Sequence, residues 1–228
     1  MLSLGRLTSR PRSAQQGLSL VELMVGIAVG LFVVAAAAML VSSHLNDNRR
    51  LLLESQVQQD LRAAADIIAR ELRRAGHWQT AEKSVWTPDA ALELSPYGNL
   101  APSAAAATQV DFSYRRTNGD TGPFGFKREG SALKTLLGEG GWQELTDSKT
   151  LLITGFTVTP ENEVLQLSCP KLCAPPDDPK ECWPTLTVRK LVVDITGQAV
   201  SDPAVKRSLR SVVRLRNDWV DPAKACPA

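Results

Sequence analysis

The feature that most constrains this chain is a run of 24 mostly apolar residues, 18–41, in which Glu22 is the only ionisable side chain. At a rise of about 1.5 Å per residue, a helix of this length spans roughly 36 Å, which exceeds the ~30 Å hydrocarbon core of a bilayer. Arg6, Arg10 and Arg12 precede the run, and no basic residue follows before His44. The positive-inside rule therefore predicts one membrane-spanning helix, with its N-terminus in the cytoplasm and the rest of the chain exported.

Two simpler interpretations of this segment leave Glu22 unexplained. One is a secretory signal peptide cleaved near the alanine run 35–38, and the other is a plain signal anchor. A charged carboxylate inside a lipid-facing helix costs a few kcal/mol unless it has a partner. Cleavage after Gly17 would free the α-amine of Leu18, within about one helical turn of Glu22 or of the same glutamate on a neighbouring subunit, and the two charges would then neutralise each other.

Residues 16–23, Gln-Gly-Leu-Ser-Leu-Val-Glu-Leu, resemble the type IV prepilin processing motif. The resemblance implies that an inner-membrane prepilin peptidase cuts after Gly17 and N-methylates Leu18. It also implies that Glu22 recruits the next subunit of a fibre and sets the register between the two subunits. The sequence has Leu18 where phenylalanine is usual in that family, and Ser19 where threonine is frequent.

Residues 71–78 and 216–218 further resemble short segments of the PilW-type minor pilins. This resemblance implies a subunit that starts or caps a type IV pilus with other minor pilins, the major pilin and the inner-membrane assembly platform. It also implies an inner-membrane protein with a periplasmic head that later enters the fibre. Two alternatives stay open: a minor pseudopilin of type II secretion, and a membrane-anchored periplasmic binding domain that would retain residues 1–17.

Beyond the apolar run, the helical period continues as one apolar stripe opposite a charged face. The stripe consists of Leu53, Val57, Leu61, Ala64, Ile68, Leu72 and Ala75. The pattern predicts a single helix from about Leu18 to Ala75, ended by Gly76, whose second half packs on the sheet of the same chain. A stalk or coiled coil is the alternative, although the charged residues of the polar face do not recur at heptad spacing as they do in coiled coils.

From about residue 109, apolar and polar residues alternate with a period of two, as in a β-strand. Seven runs follow this pattern: 110–115, 124–128, 132–137, 151–159, 164–167, 185–195 and 208–215. Turn residues between several runs favour antiparallel hairpins, so the predicted fold is α+β and pilin-like, with a long helix on a β-rich head. We expect a leader (1–17), a transmembrane half-helix (18–41), an amphipathic half-helix (42–78), an irregular loop (79–108) and the head (109–228).

The four cysteines, Cys169, Cys173, Cys182 and Cys226, lie far from both histidines, which favours disulfides over zinc. Residues 169–182 contain four prolines and no apolar period, so this loop needs crosslinking. Three pairings are possible, and a bond from Cys226 to the loop would pin the C-terminal tail. Disulfides predict an oxidising compartment such as a periplasm.

The sequence contains no phosphate-binding loop, G-x-S-x-G elbow or H-E-x-x-H motif, so we expect no enzyme, cofactor, metal site or small-molecule substrate. A basic run, comprising Lys206, Arg207, Arg210, Arg214 and Arg216, is typical of a solvated strand edge. Without the three leader arginines, 26 − 3 = 23 basic residues face 24 acidic ones. Nucleic acid is therefore not an expected partner.

Overall fold

The structure is a computed structural model that describes residue 17 and residues 19–86, 92–175, 178, 180–221 and 226. Within these residues the chain forms one α-helix, α1 (Leu20–Leu72), and eleven strands. The strands are β1 (Leu100–Ala101), β2 (Gln109–Phe112), β3 (Phe124–Glu129), β4 (Ala132–Leu137), β5 (Trp142–Glu144), β6 (Leu151–Pro160), β7 (Glu163–Gln166), β8 (Thr185–Val188), β9 (Lys190–Ala199), β10 (Lys206–Arg214) and β11 (Trp219–Val220).

Helix α1 is rich in alanine and leucine, and no proline occurs between Pro11 and Pro88 to interrupt it. It ends at Leu72, three residues before the predicted end, and a turn follows over residues 73–76. Gly76 has a φ of +78°, a left-handed conformation that glycine adopts without steric cost. The prediction that Gly76 ends the helical segment is therefore supported by its backbone geometry.

The chain divides into two compact units, Met1–Arg49 and Arg50–Ala228. In the first unit, every residue of α1 is exposed. Of the helices described, α1 contains a segment long and apolar enough to cross a membrane, which is compatible with a single-pass anchor. In the second unit, α1 becomes amphipathic, and the buried side chains on its inner face are Val57, Leu61, Ala64, Ala65, Ile68, Ala69 and Leu72.

This inner face packs on the sheets to form one hydrophobic core. On the sheet side the core contains aromatic residues of β2 and β3 and branched aliphatic residues of β6 and β9. Helix and sheet approach closely at Gly197 of β9, where a Cβ atom would lie 2.9 Å from Cδ1 of Leu151 and 3.3 Å from Cδ2 of Leu61. Glycine at this position lets the helix approach the sheet. The packing of the amphipathic half-helix on the chain's own sheet, predicted from the apolar stripe, is confirmed.

The strands form three antiparallel sheets, in the orders β1-β2-β3-β4-β5, β10-β9-β6 and β11-β8-β7. The predicted α+β architecture, with a long helix on antiparallel strands, is thus confirmed. Strands β4 and β5 pair as a hairpin across a short 3₁₀ turn at Gly138–Gly140. Strands β1, β5 and β11, each only two or three residues long, were not predicted.

One predicted strand is wrong: the run 185–195 is two strands, β8 and β9, which belong to different sheets. The break falls at Arg189, whose side chain is buried and donates hydrogen bonds to the carbonyl oxygens of Gly98 and Asn217. The apolar residues change phase here, from Leu186 and Val188 to Leu191, Val193 and Ile195, so the adjacent polar residues Arg189 and Lys190 were an available signal of the break. The segment expected to be irregular, 79–108, holds a 3₁₀ turn at Ala81–Ser84, strand β1 and a bridge from Ala107 to Val158.

Candidate functional site

The processing motif lies at the start of α1. Gly17 and Glu22 are both exposed, and Glu22 lies in the first helical turn, where an acidic side chain interacts favourably with the helix dipole. The backbone N–H of Leu23 donates to the carbonyl oxygen of Ser19 at 3.0 Å, which begins the helical hydrogen bonding just after the motif. Leu18 lies outside the described residues. The pairing of Glu22 with the Leu18 amine therefore stays a prediction.

The four cysteines form two disulfides, joining Cys169 to Cys226 and Cys173 to Cys182. Cys169 follows β7 and Cys226 follows β11, which are the two outer strands of the sheet β11-β8-β7. The first bond thus ties together the chain segments leaving both edges of this sheet. The second closes the proline-rich loop, which also accepts a 2.9 Å hydrogen bond from Nε1 of Trp183 at the carbonyl oxygen of Lys171.

A polar cluster, consisting of Glu71, Tyr114 and Arg116, fixes the C-terminal end of α1 against the head. The hydroxyl of Tyr114 donates to Oε2 of Glu71 at 2.5 Å, and Nε of Arg116 donates to the same hydroxyl at 3.0 Å. The Arg116 guanidinium also lies 4.2 Å from the centroid of the Phe124 ring. Burial, followed by the hydrogen bond to Glu71, raises the pKa of Tyr114 above its ordinary value.

Beside this cluster is a cavity of about 1010 Å³ with a strongly basic lining. We call it the arginine cavity, and it is lined by Arg73, Arg74, His77, Gln79, Tyr114, Arg115, Arg116, Thr117, Asn118, Gly119, Arg216 and Asn217. Arg74 and Arg116 each lie within 4 Å of the Glu71 carboxylate. By contrast, Arg73, Arg115 and Arg216 make no ion pair within the part of the chain that the structure describes.

The arginine cavity was not predicted from the sequence. Its cationic residues come from the turn after α1, the loop after β2 and the segment after β10, so no single stretch of sequence contains them. A partial signal was available in the arginine pairs 73–74 and 115–116, which begin within three residues after the ends of α1 and β2.

The predicted basic row lies on β10, an outer strand of its sheet, and most of its charge is neutralised. Arg207 pairs with Glu54 of α1, and Arg214 Nη2 lies 3.1 Å from Oδ2 of Asp218. Arg210 lies 3.8 Å from Glu161 and 4.0 Å from Asp194. Arg216 follows the strand and lines the arginine cavity instead.

Comparisons with known proteins give two family matches and nothing else. The family described as "Prokaryotic N-terminal methylation motif" matches residues 12–38, which include Gly17, Leu18 and Glu22. The family described as "Prepilin peptidase-dependent protein B" matches residues 50–215, well over half of the chain. No curated protein and no solved structure matches significantly. With the methylation motif at the start of its apolar helix and the larger match over its head, the chain belongs to the family of prepilin peptidase-dependent protein B.

Proposed function

We propose that this pilin-like chain is a minor pilin of a type IV pilus, which helps to start or cap the fibre through its N-terminal helix. The observation that carries the proposal is the fully exposed apolar part of α1 directly behind the processing motif. An apolar helix exposed to water is unstable, so it needs lipid before assembly and the helices of other subunits afterwards. The partners are then the prepilin peptidase, the other pilins and the inner-membrane assembly platform.

The proposed route begins in the inner membrane, with the leader in the cytoplasm and the head in the periplasm. Cleavage after Gly17 removes Arg6, Arg10 and Arg12, the charges that hold the N-terminus on the cytoplasmic side. The new amine at Leu18 can then neutralise Glu22 in the apolar fibre core, where an unpaired carboxylate is costly.

Mass spectrometry of the exported protein tests the first step. We expect the mature N-terminus to be methylated Leu18. An N-terminus at Met1, or one after the alanine run 35–38, would contradict the pilin proposal and favour an anchored domain or a secreted protein.

The role of Glu22 is tested by Glu22→Ala, compared with Val21→Ala at the adjacent exposed position. We expect both variants to be cleaved after Gly17, and only Glu22→Ala to enter fibres poorly, as quantified by immunoblots of sheared pili. Normal incorporation of Glu22→Ala would remove the charge-pairing argument.

A deletion strain separates the pilus from the secretion apparatus. Without this chain we expect fewer surface pili by electron microscopy, with unchanged export of type II substrates. Unchanged surface pili with reduced export of type II substrates would assign the chain to a pseudopilus.

A further inference from the structure

The arginine cavity concentrates positive charge that the head does not neutralise. Five arginines line it, and no aspartate or glutamate is among its lining residues. Glu71 forms ion pairs with Arg74 and Arg116, and Asp120 forms one with Arg116. Arg73, Arg115 and Arg216 have no acidic partner among the described residues. Like charges that line one cavity repel each other, so an anion in the cavity would relieve a repulsion present in the free protein.

Main-chain hydrogen bonds fix the three segments that carry these arginines. The N–H of Arg216 donates to the carbonyl oxygen of Arg73 at 3.2 Å, and the N–H of Arg115 donates to that of His77 at 2.8 Å. In addition, Nδ2 of Asn217 donates to the carbonyl oxygen of Ala75 at 3.0 Å. The backbone around the cavity is therefore pre-organised, which lowers the entropic cost of binding.

The lining indicates the chemistry of the occupant. Guanidinium groups bind carboxylates through two parallel N–H···O bonds. His77, Gln79, Thr117 and Asn118 add polar groups that can hydrogen-bond to a peptide backbone. A volume of about 1010 Å³ lies at the upper end of the range for small-molecule pockets, about 300–1,000 Å³, and is far too large for one isolated anion. The cavity fits several residues of an extended chain.

Two observations disfavour nucleic acid as the occupant. Arg207, Arg210 and Arg214 of β10 are paired with acidic residues, so among the described residues this strand offers no continuous row of unpaired charge for a phosphate backbone to follow. Tyr114, the only tyrosine, tryptophan or phenylalanine among the lining residues, is 2% exposed and packs against Phe112 and Phe124, so it offers no face on which a base could stack.

We propose that the arginine cavity is a docking site for an acidic segment of a partner protein, whose carboxylates bind Arg73, Arg115 and Arg216. The site goes beyond the proposed function and does not depend on which filament the chain enters. Its test also needs neither leader cleavage nor fibre formation, so a failure of either leaves the result interpretable.

The test uses the full chain in detergent micelles and a fluorescein-labelled octaglutamate peptide, with binding followed by fluorescence anisotropy. We expect saturable binding at low salt that weakens as salt rises. The double variant Arg115→Gln/Arg216→Gln should bind about tenfold or more weakly, since it removes charge-assisted hydrogen bonds. The matched control is Arg62→Gln/Lys206→Gln, which makes the same change in net charge at exposed positions outside the cavity and should change the affinity less than about twofold.

A single substitution at the rim provides a second test that removes no contact. Thr117 lines the cavity, is exposed and makes no side-chain hydrogen bond within the described residues. Thr117→Glu should weaken peptide binding about tenfold by placing a carboxylate among the arginines, whereas Thr117→Gln should bind like the wild type.

Three results would each overturn the proposal. One is the absence of saturable peptide binding by the wild-type chain. Another is equal weakening by the cavity variants and their matched controls. The third is tighter binding of a single-stranded oligonucleotide with eight phosphates, abolished by Arg115→Gln/Arg216→Gln, which would make the cavity a nucleic-acid site.

Discussion

Arg189 is a buried cation at the junction between two sheets. It is 8% exposed, lies between β8 and β9, and donates to the carbonyl oxygen of Gly98 at 2.8 Å and to that of Asn217 at 2.8 and 3.3 Å. Burial lowers the pKa of Arg189, and the nearby Asp218 opposes this shift. The side chain therefore connects three segments that are far apart in sequence.

Replacing Arg189 with methionine should destabilise the head by about 3 kcal/mol, because two partly buried carbonyl oxygens lose their donor. All five tryptophans lie after residue 77, so tryptophan fluorescence during urea unfolding reports on the head. The matched control, Arg62→Met on the exposed face of α1, should stay within about 0.5 kcal/mol of the wild type. A loss below about 1 kcal/mol for Arg189→Met would show that Arg189 does not hold the junction.

Tyr114 gives the head a specific sensitivity to alkali. Its pKa is raised above the ordinary value of 10.0, mainly by burial and then by the hydrogen bond to Glu71. The folded state therefore holds this proton more tightly than the unfolded state does. The resulting stability is fully present below about pH 10 and is lost as the pH rises through the folded-state pKa.

In Tyr114→Phe this pH dependence should disappear. We expect the wild type to be more stable than Tyr114→Phe at pH 8, and this difference to shrink at pH 11, in paired thermal unfolding experiments. Because lysines titrate in both proteins, only the difference between them is diagnostic. A constant difference across this range would exclude Tyr114 as the titrating group.

At the scale of elements, the periodicity of α1 was enough to identify both its halves. Apolar residues on all sides predict a lipid or helix environment, and one apolar stripe predicts packing on a single surface. Sequence was less informative where a single residue decides the structure. The change of phase at Arg189 and Lys190 does not reveal that the two parts of 185–195 join different sheets, and the arginine cavity combines residues from three distant segments. Tertiary contacts of this kind leave no periodic signal.

The packing of α1 on β9 predicts a sharp contrast between two leucines of the same helix. Leu61 is fully buried beside Gly197, whereas Leu52 is 73% exposed. Leu61→Ala should cost about 2–5 kcal/mol of head stability through lost burial and the cavity left behind, and Leu52→Ala less than about 0.5 kcal/mol. Urea unfolding of both variants checks this. Similar losses for the two would contradict the described helix register.

At the scale of the whole molecule, the two disulfides differ most in the length of chain that they close. Cys169 and Cys226 are 57 residues apart, and Cys173 and Cys182 are 9 apart. In the chain-entropy description, these loops correspond to about 4 and about 2.7 kcal/mol of stability. Cys169→Ser/Cys226→Ser should therefore destabilise the head more than Cys173→Ser/Cys182→Ser does, as measured by urea unfolding without reductant. The opposite ranking would show that the short loop stabilises through its own contacts.

The position of Cys226 after β11 also affects the order in which the disulfides can form. If the chain is exported as proposed, from its N-terminus onward, three cysteines would meet an oxidant before the fourth arrives. During that interval Cys169 has only the wrong neighbours available, and a premature bond to Cys173 or Cys182 must later be exchanged. Native pairing of Cys169 therefore requires either exchange of a premature bond or a Cys169 thiol that stays reduced until Cys226 has appeared.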